Sequence, residues 1–292
     1  MAANLARSSE SETPLSSFIR RHPRLLVLTG AGCSVASGIP EYRDHDGAWK
    51  SRPPVRYADF VASPAVRRRY WARSVFGWER VAGAQPGSVH RALARLEQAG
   101  HARAVVTQNV DALHQRAGSR RVIDLHGRLD EVECLDCGAR IRRADMQALL
   151  LAWNGPFLAA LGAAPGATAA ARPDGDVQLE ADFSDFRVPD CPSCGGVLKP
   201  AVVFFGENVP RPRVERCYNL IDNANAVLVL GSSLTVMSGF RFVRHAAKAG
   251  TPVLIINQGL TRGDPYATQR VNLPLGRALT ELLEETTGPG HA

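Results

Sequence analysis

Two pairs of cysteines carry the clearest chemistry in this chain: Cys134 with Cys137, and Cys191 with Cys194. Each pair reads C-x-x-C, and each is followed at once by glycine, Gly138 in the first case and Gly195-Gly196 in the second. Thiolates at this spacing grip one face of a Zn²⁺, and glycine lets the backbone turn beneath the metal. Two such knuckles complete a tetrahedral Cys₄ shell with no open position, so the expected site is structural. Metal capture can supply on the order of 10 kcal/mol of folding free energy to a small module. Paired knuckles usually lie about 15–20 residues apart; the stretch 138–190 is much longer and implies an insertion. Two redox dithiols or two disulfides are the plainer alternative. The mutual likeness of the knuckles argues against both.

A second candidate is Gly30-Ala31-Gly32, where an apolar run ends in glycines. Backbone N–H groups at such a turn can cradle a pyrophosphate. The full G-x-G-x-x-G fingerprint needs a third glycine at position 35, which is Val35, and no acidic residue ends a second strand about 20 positions on. Alone, this is equally a tight turn. The stretch 30–50 continues as a polar, glycine-bearing segment stiffened by Pro40 and reads as a loop that closes over a ligand. The third candidate, His126, stands at the end of an apolar run. An imidazole titrates near neutrality and can accept a hydroxyl proton, although a strand-end histidine by itself is more often structural. His90 reads as a packing or capping residue, and His22, His45, His101, His114 and His245 as surface or helix residues. Cys33 and Cys217 read as reduced and partly buried. Trp49, Trp71, Trp78 and Trp153 read as core or interface.

The elements that position these residues follow from hydrophobic pattern. Apolar runs end at Gly30, at Thr107-Gln108-Asn109, at His126-Gly127, at Gly206-Glu207, at Gly231-Ser232-Ser233 and at Asn257-Gln258-Gly259. Continuous runs of this length suit strands buried on both faces of a parallel sheet. Helical patterns alternate with them. One starts at Ser88 as N-cap and stops at Gly100; another runs 239–250 into Gly250. The alternation predicts an α/β fold, a doubly wound parallel sheet, in which ligands bind beyond the carboxyl ends of the strands. Those ends are where the Gly, Asn, His and Ser residues collect. The segment 144–189 is rich in Ala, Gly and Pro; it reads as helical over 145–153 and as loop beyond.

Composition sets the outer bounds. The chain has 292 residues, 45% hydrophobic and 22% charged, as expected of a globular protein with one large and one small unit. No apolar run reaches the roughly 18 residues a membrane span needs, and the N-terminus lacks an apolar signal core. The net charge of +7 rests almost wholly on arginine, and the arginines are scattered. Solvated faces account for them more simply than nucleic-acid binding does. A cytoplasmic, reducing location is expected.

Taken in order, GAGCSVASGIPEYR, TQNVDALHQRAG, LHG, the paired knuckles, KPAVVFFGE, GSSLTV and INQG resemble sirtuins, the NAD-dependent protein-lysine deacylases, over about residues 25–282. The resemblance implies an inverted Rossmann-like domain holding NAD as co-substrate and a small inserted module holding one structural Zn²⁺. It implies that Gly30, Ala31, Gly32 and Ser34 hold the NAD phosphates, and that Pro40, Tyr42 and Arg43 lie on the cofactor-binding loop. Gln108, Asn109, Val110 and Asp111 then face the nicotinamide carboxamide and its ribose, with Asn109 and Asp111 counted as catalytic. A carboxamide offers donors and an acceptor to such groups. Gly231, Ser232, Ser233, Asn257, Gln258 and Gly259 fall on the adenosine side, with Leu275 making a backbone contact to adenine. His126 falls on the general-base position. In the implied reaction the acyl-lysine oxygen attacks the nicotinamide ribose, nicotinamide leaves, and the histidine activates a ribose hydroxyl. Free lysine and O-acyl-ADP-ribose result. Val203, Phe204, Gly206 and Glu207 match the segment that clamps an extended acyl-lysine peptide by strand addition.

The implied boundaries are a flexible leader over 1–20, an NAD-binding domain from 21–130 and 198–285, a zinc module over 131–197 and a tail over 286–292. The Glu41-Tyr42-Arg43 variant, the stretch 173–177 and the insertion before Cys191 resemble the class II subclass, which includes a mitochondrial mammalian member. Members of that subclass often take acyl groups larger than acetyl. Two other readings remain: an NAD-dependent protein mono-ADP-ribosyltransferase, and a nucleic-acid-binding zinc module with a vestigial NAD site. The second lacks aromatic–basic interleaving around the knuckles.

Overall fold

The computed structural model describes residues 13–42, 48–50, 53–162, 172–177 and 179–279. In chain order the elements are α1 (Pro14–Arg21), β1 (Leu25–Thr29), α2 (Tyr57–Ala62), α3 (Pro64–Gly83), α4 (Ser88–Gln98), β2 (Ala102–Thr107), α5 (Leu113–Arg116), β3 (Val122–Asp124) and β4 (Gly127–Cys134). Then follow β5 (Arg140–Arg142), α6 (Arg143–Gly162), β6 (Leu198–Val202), α7 (Arg211–Asp222), β7 (Ala226–Leu230), α8 (Met237–Lys248), β8 (Val253–Ile256) and β9 (Gln269–Val271).

Period-two alternation in β1 shows how the main sheet is covered on both faces. Leu25 and Val27 pack with Phe18 of α1 and with Val89, Leu93 and Leu96 of α4. Leu26 and Leu28 point the other way, toward Val214 and Ile221 of α7 and Phe242 and Val243 of α8. Six strands pair in the order β3-β2-β1-β7-β8-β9, all parallel. The sheet runs outward from β1 in both directions, so the order reverses between β1 and β7. In doubly wound sheets that reversal opens a crevice at the strands' carboxyl ends.

Three features depart from the sequence reading. The expected flexible leader over 1–20 gives way to α1: Thr13 caps it through Ser16 N at 3.3 Å, Pro14 opens it, and Leu15, Phe18 and Ile19 are buried. Apolar residues at that i, i+3, i+4 spacing form a core-facing stripe. Residues 1–12 and the expected tail over 286–292 lie outside the described residues. The apolar run ending at Gly206-Glu207 does not join the parallel sheet; β6 pairs antiparallel with β4 in a separate sheet ordered β5-β4-β6. The sixth place in the main sheet belongs to β9, which is only three residues long and half-exposed. Finally, α6 continues past residue 153 to Gly162, with a break at Asn154 (φ −127°) two residues ahead of Pro156. The Asn154 side chain ties the break to a distant segment, donating to Leu150 O and Arg187 O and accepting from Arg187 N.

Around β4, β6, α3 and α6 lies another core, built on Trp71, Leu129, Val132, Met146, Phe186 and Leu198. Buried Arg143 ties α6 to α3. It donates to Ser74 O at 3.1 Å and to Gln147 at 2.8 Å, and sits over the rings of Trp71 and Trp78. Burial lowers its pKa to about 10.

Candidate active site and metal centre

The glycine turns after β1 and β7 meet at the reversal point. A Cβ on Gly30 would lie 2.7 Å from Gly231 O, and one on Gly32 would lie 2.8 Å from Gly231 Cα. No side chain fits at either position. The two turns thereby bring bare backbone to a cleft of about 830 Å³ that opens above the strand ends, with the N–H groups of Gly30, Gly32 and Gly231 donating to Leu230 O, Gly231 O and Ile256 O.

Directly beneath this turn is a network of polar side chains from the ends of β1 and β2. Ser34 donates to Asp111 Oδ2 at 2.7 Å and accepts from Asn109 Nδ2 at 3.0 Å. Asn109 also donates to Gly30 O at 3.1 Å, and Asp111 Oδ1 takes the Leu113 N–H at 2.9 Å. Gln108 donates to Ser232 Oγ at 2.7 Å and so links the two glycine turns. Behind the network, His90 Nδ1 accepts from Gly87 N at 3.1 Å; the residue is fully buried and serves as the cap foreseen for it. His114 differs from the surface reading. It is buried against Thr29 Oγ1 at 2.9 Å, and burial holds its pKa at about 3. Cys33 is likewise buried; desolvation raises its thiol to about 12, well outside the range of a redox-sensitive thiolate.

His126 follows β3 and lines the cleft. Its Nδ1 lies 2.8 Å from Gln108 O, and its Nε2 lies 2.8 Å from Ser238 Oγ. A carbonyl oxygen only accepts, so Nδ1 carries the proton and Nε2 keeps its lone pair. Burial lowers the imidazole pKa to about 4, so the ring is neutral at physiological pH.

The opposite wall comes from the turn after β6. Val203 N donates to His126 O at 2.8 Å, and Phe204 N donates to Glu207 Oε2 at 2.8 Å. The turn is held from below by Lys199, which is fully buried and donates to Val202 O at 2.5 Å and Pro200 O at 3.1 Å. Glu207 and Glu133 stand 3.4 and 3.3 Å from its ammonium. Tyr42, Trp49 and Phe205 form an edge-to-face aromatic cluster at the cleft.

Of the sequence candidates, Gly30, Ala31, Gly32, Ser34, Tyr42, Gln108, Asn109, Val110, Asp111 and His126 line this one cleft. Val203, Phe204, Gly206, Glu207, Gly231, Ser232, Ser233, Asn257, Gln258 and Gly259 line it too. Pro40 does not, although its neighbours Ile39 and Glu41 do. Leu275 does not line it either, and its side chain is in the core with Cδ1 close to Gly231. Arg43 lies outside the described residues. Sequence reasoning missed Tyr70, Ser238 and Arg241, which also reach the cleft from helices. It also missed Asp174, which returns to the cleft from the insertion and hydrogen-bonds Tyr42. Burial raises the Asp174 carboxyl above its usual range. The C-terminal end of a strand is a signal for such residues; a helix face or a long insertion gives none.

The four knuckle cysteines converge on one point, with their Sγ atoms within 4.8 Å of one another. The close approaches run between knuckles, Cys134–Cys194 at 3.5 Å and Cys137–Cys191 at 3.8 Å, and all four are free thiols. A tetrahedron with Zn–S bonds of about 2.3 Å has edges of about 3.8 Å, so the set fits the ion. Gly138 (φ 71°) and Gly195 (φ 74°) make the left-handed turns that close each knuckle.

The Sir2 family profile matches residues 30–238, a span that takes in the glycine turn, His126, all four cysteines and Ser238. The chain belongs to the Sir2 family. Among relatives of this Sir2 family member, the "NAD-dependent protein deacetylase" of Bordetella bronchiseptica is 52% identical over 270 residues, which is 92% of this chain and 96% of the relative. The protein of the same description from Xanthomonas axonopodis pv. citri is 54% identical over 269 residues, 92% of this chain and 89% of the relative. Among solved structures, "Sir2-p53 peptide-NAD+" superposes with a TM-score of 0.73 at 30% identity, covering 93% of this chain and 97% of that one. "Structure of Sir2Tm bound to a propionylated peptide" gives 0.72 at 29% identity, covering 94% and 99%.

Proposed function

We propose that this Sir2 family member is an NAD-dependent protein-lysine deacylase that transfers the acyl group to ADP-ribose. One observation carries the reading: bare glycine turns, the Ser34–Asn109–Asp111 network and a neutral imidazole whose Nε2 is unprotonated share one cleft with a strand-like turn. The relatives described as NAD-dependent protein deacetylases support it.

NAD, when bound, supplies an electrophilic sugar carbon with nicotinamide as its leaving group. Gly30, Gly32 and Gly231 leave room at bare backbone for the phosphates and adenosine side, and Ala31 and Ser233 offer an N–H and a hydroxyl there. Asn109 and Asp111 orient the carboxamide end, and Asp111 is held in place by the Ser34 hydroxyl and the Leu113 N–H. The residues 203–207 present backbone groups to an extended peptide. Tyr42, Trp49 and Phe205 exclude water above the acyl-lysine. His126 Nε2 takes one proton from the sugar hydroxyl, a role worth roughly 10²–10⁴-fold in rate. Cys134, Cys137, Cys191 and Cys194 hold one Zn²⁺, which serves folding and takes no part in the chemistry.

In this reading residues 14–130 with 198–285 form the NAD-holding unit and 131–197 the zinc module. The described residues contain no helix long and apolar enough to cross a membrane, and the reading places the protein in the cytoplasm. The likeness of Glu41-Tyr42-Arg43, of 173–177 and of the insertion to the class II subclass supports acyl groups longer than acetyl.

The test is release of nicotinamide from NAD by a panel of acyl-lysine peptides. Release is expected only when both substrates are present, and His126→Ala should abolish product formation. Full activity in that variant would remove His126 from the mechanism.

A further inference from the structure

Most of the cleft is accounted for by the proposed function, but one contact in it is not. The lone pair on His126 Nε2, the atom that would accept a proton, is already occupied by the Ser238 hydroxyl at 2.8 Å. Because Nδ1–H is committed to Gln108 O, that hydroxyl must be the donor.

The backbone around Ser238 is built for this approach. Ser238 lies in the first turn of α8, and its neighbour Gly239 abuts Gln108: a Cβ there would fall 2.5 Å from Gln108 Oε1. A side chain at 239 would have to displace the Gln108 amide, which donates to Ser232 Oγ. Upstream, Leu234 adopts a left-handed conformation (φ 54°), a costly one for a bulky residue. It is fixed by a hydrogen bond from its N–H to Ser232 Oγ at 3.2 Å. Its side chain packs on the bare backbone of Gly263, where a Cβ would lie 2.4 Å from Leu234 Cδ1. The left-handed turn at Leu234 and the close packing of Gly239 on Gln108 thus seat the start of α8 with its Ser238 hydroxyl against the imidazole.

We propose that Ser238 is a positioning residue for His126: it holds Nε2 in the ligand-free cleft, yields it to the substrate hydroxyl, and then accepts the Nε2–H of the imidazolium. The step moves one proton; the substrate O–H bond breaks, the Nε2–H bond forms, and no bond is made to Ser238. A hydroxyl can serve both states because it rotates between donor and acceptor. The bond to the charged ring is the stronger of the two, so Ser238 makes His126 a better base than burial alone would allow. Arg213 on α7, which donates to Leu125 O at 3.0 Å, is the charged group whose field acts on the ring.

The inference rests on the deacylase reading for its catalytic consequence but not for its ground-state contact, so two kinds of readout are needed. In ligand-free protein, histidine-selective ¹⁵N NMR should show the Nδ1–H tautomer. The Nε2 resonance should move in Ser238→Ala and return in Ser238→Thr, which keeps the hydroxyl. In the working enzyme, Ser238→Ala should lower kcat roughly 10–100-fold, the range for losing a hydrogen bond to a charged group. Its acid limb should move to lower pH, because the charged ring has lost its acceptor. Exchange of labelled nicotinamide into NAD should fall by less than formation of acylated ADP-ribose, and Ser238→Thr should recover most of the loss. An Nε2 resonance and an acid limb both unchanged in Ser238→Ala would overturn the proposal, as would equal losses of exchange and product formation. An inactive wild-type protein with the expected Nε2 shift would overturn only the deacylase reading.

Discussion

Replacing Lys199 by methionine should weaken both the fold and the peptide wall of the cleft. The ammonium is removed from water and shared among Val202 O, Pro200 O, Glu133 and Glu207. Hydrogen bonds to charged groups are worth about 1.5–3 kcal/mol each, so two orphaned carbonyls cost about 3–6 kcal/mol. Methionine has similar length and removes the expense of keeping an ammonium dry. The two carboxylates keep access to solvent, at 28% and 21% side-chain exposure, so leaving them unpaired adds little. The net loss is about 3 kcal/mol, or a fall of about 6–12 °C in Tm for a chain of this size. The functional consequence is selective. Val202 adjoins Val203, whose N–H holds the carbonyl of His126, and Glu207 holds the N–H of Phe204. Peptide KM should therefore rise more than NAD KM. Calorimetry and steady-state kinetics with each substrate varied in turn measure both. A variant that melts with the wild type and keeps its peptide KM would refute the role of Lys199.

Three other outcomes are expected. Gly30→Ala forces a methyl to within 2.7 Å of Gly231 O and 2.9 Å of Ser232 Cα, both backbone atoms; it should cost about 1–3 kcal/mol and weaken NAD binding in titration calorimetry, and wild-type affinity would contradict the cradle. His114 and His126 have folded pKa values of about 3 and 4, below the roughly 6.5 of an unfolded chain. The unfolded state thus binds more protons, and stability complete above pH 6.5 should drain away as pH falls toward 3–4; urea midpoints that stay level from pH 7 to 4.5 would contradict this. Elemental analysis should find one zinc per chain, and its removal by a strong chelator should expose Cys137 and Cys194 to thiol reagents and unfold the module; no metal, or a chelator with no effect on stability, would refute the Cys₄ assignment.

Much of the site was legible because its residues end buried strands. Gly30, Gln108 and Gly231 follow unbroken apolar runs, and the parallel sheet brings the ends of such runs together. The knuckles were legible because metal chemistry fixes ligand type and spacing locally. Other features depend on contacts between distant parts of the chain. The stretch ending at Gly206 has the apolarity of a sheet strand, but β4 offers its edge to β6 and takes it out of the main sheet. The residues of β9 are too few and too polar to stand out, and that strand forms because β8 presents an edge. His114 reads as polar on a short helix; only the fold reveals that Thr29 and His90 enclose it. Ser238 falls just ahead of the helix expected over 239–250, and its contact with His126 joins α8 to the end of β3 across a long stretch of chain.

The central claim is that acyl transfer to ADP-ribose occurs in one cleft between the glycine turns and the residues 203–207. Mass spectrometry of a single-turnover reaction with NAD and an acylated peptide tests it most directly. The account predicts equal amounts of deacylated peptide, nicotinamide and acylated ADP-ribose. Free acyl acid beside intact NAD, or ADP-ribose fixed to protein with the acyl-lysine untouched, would contradict it.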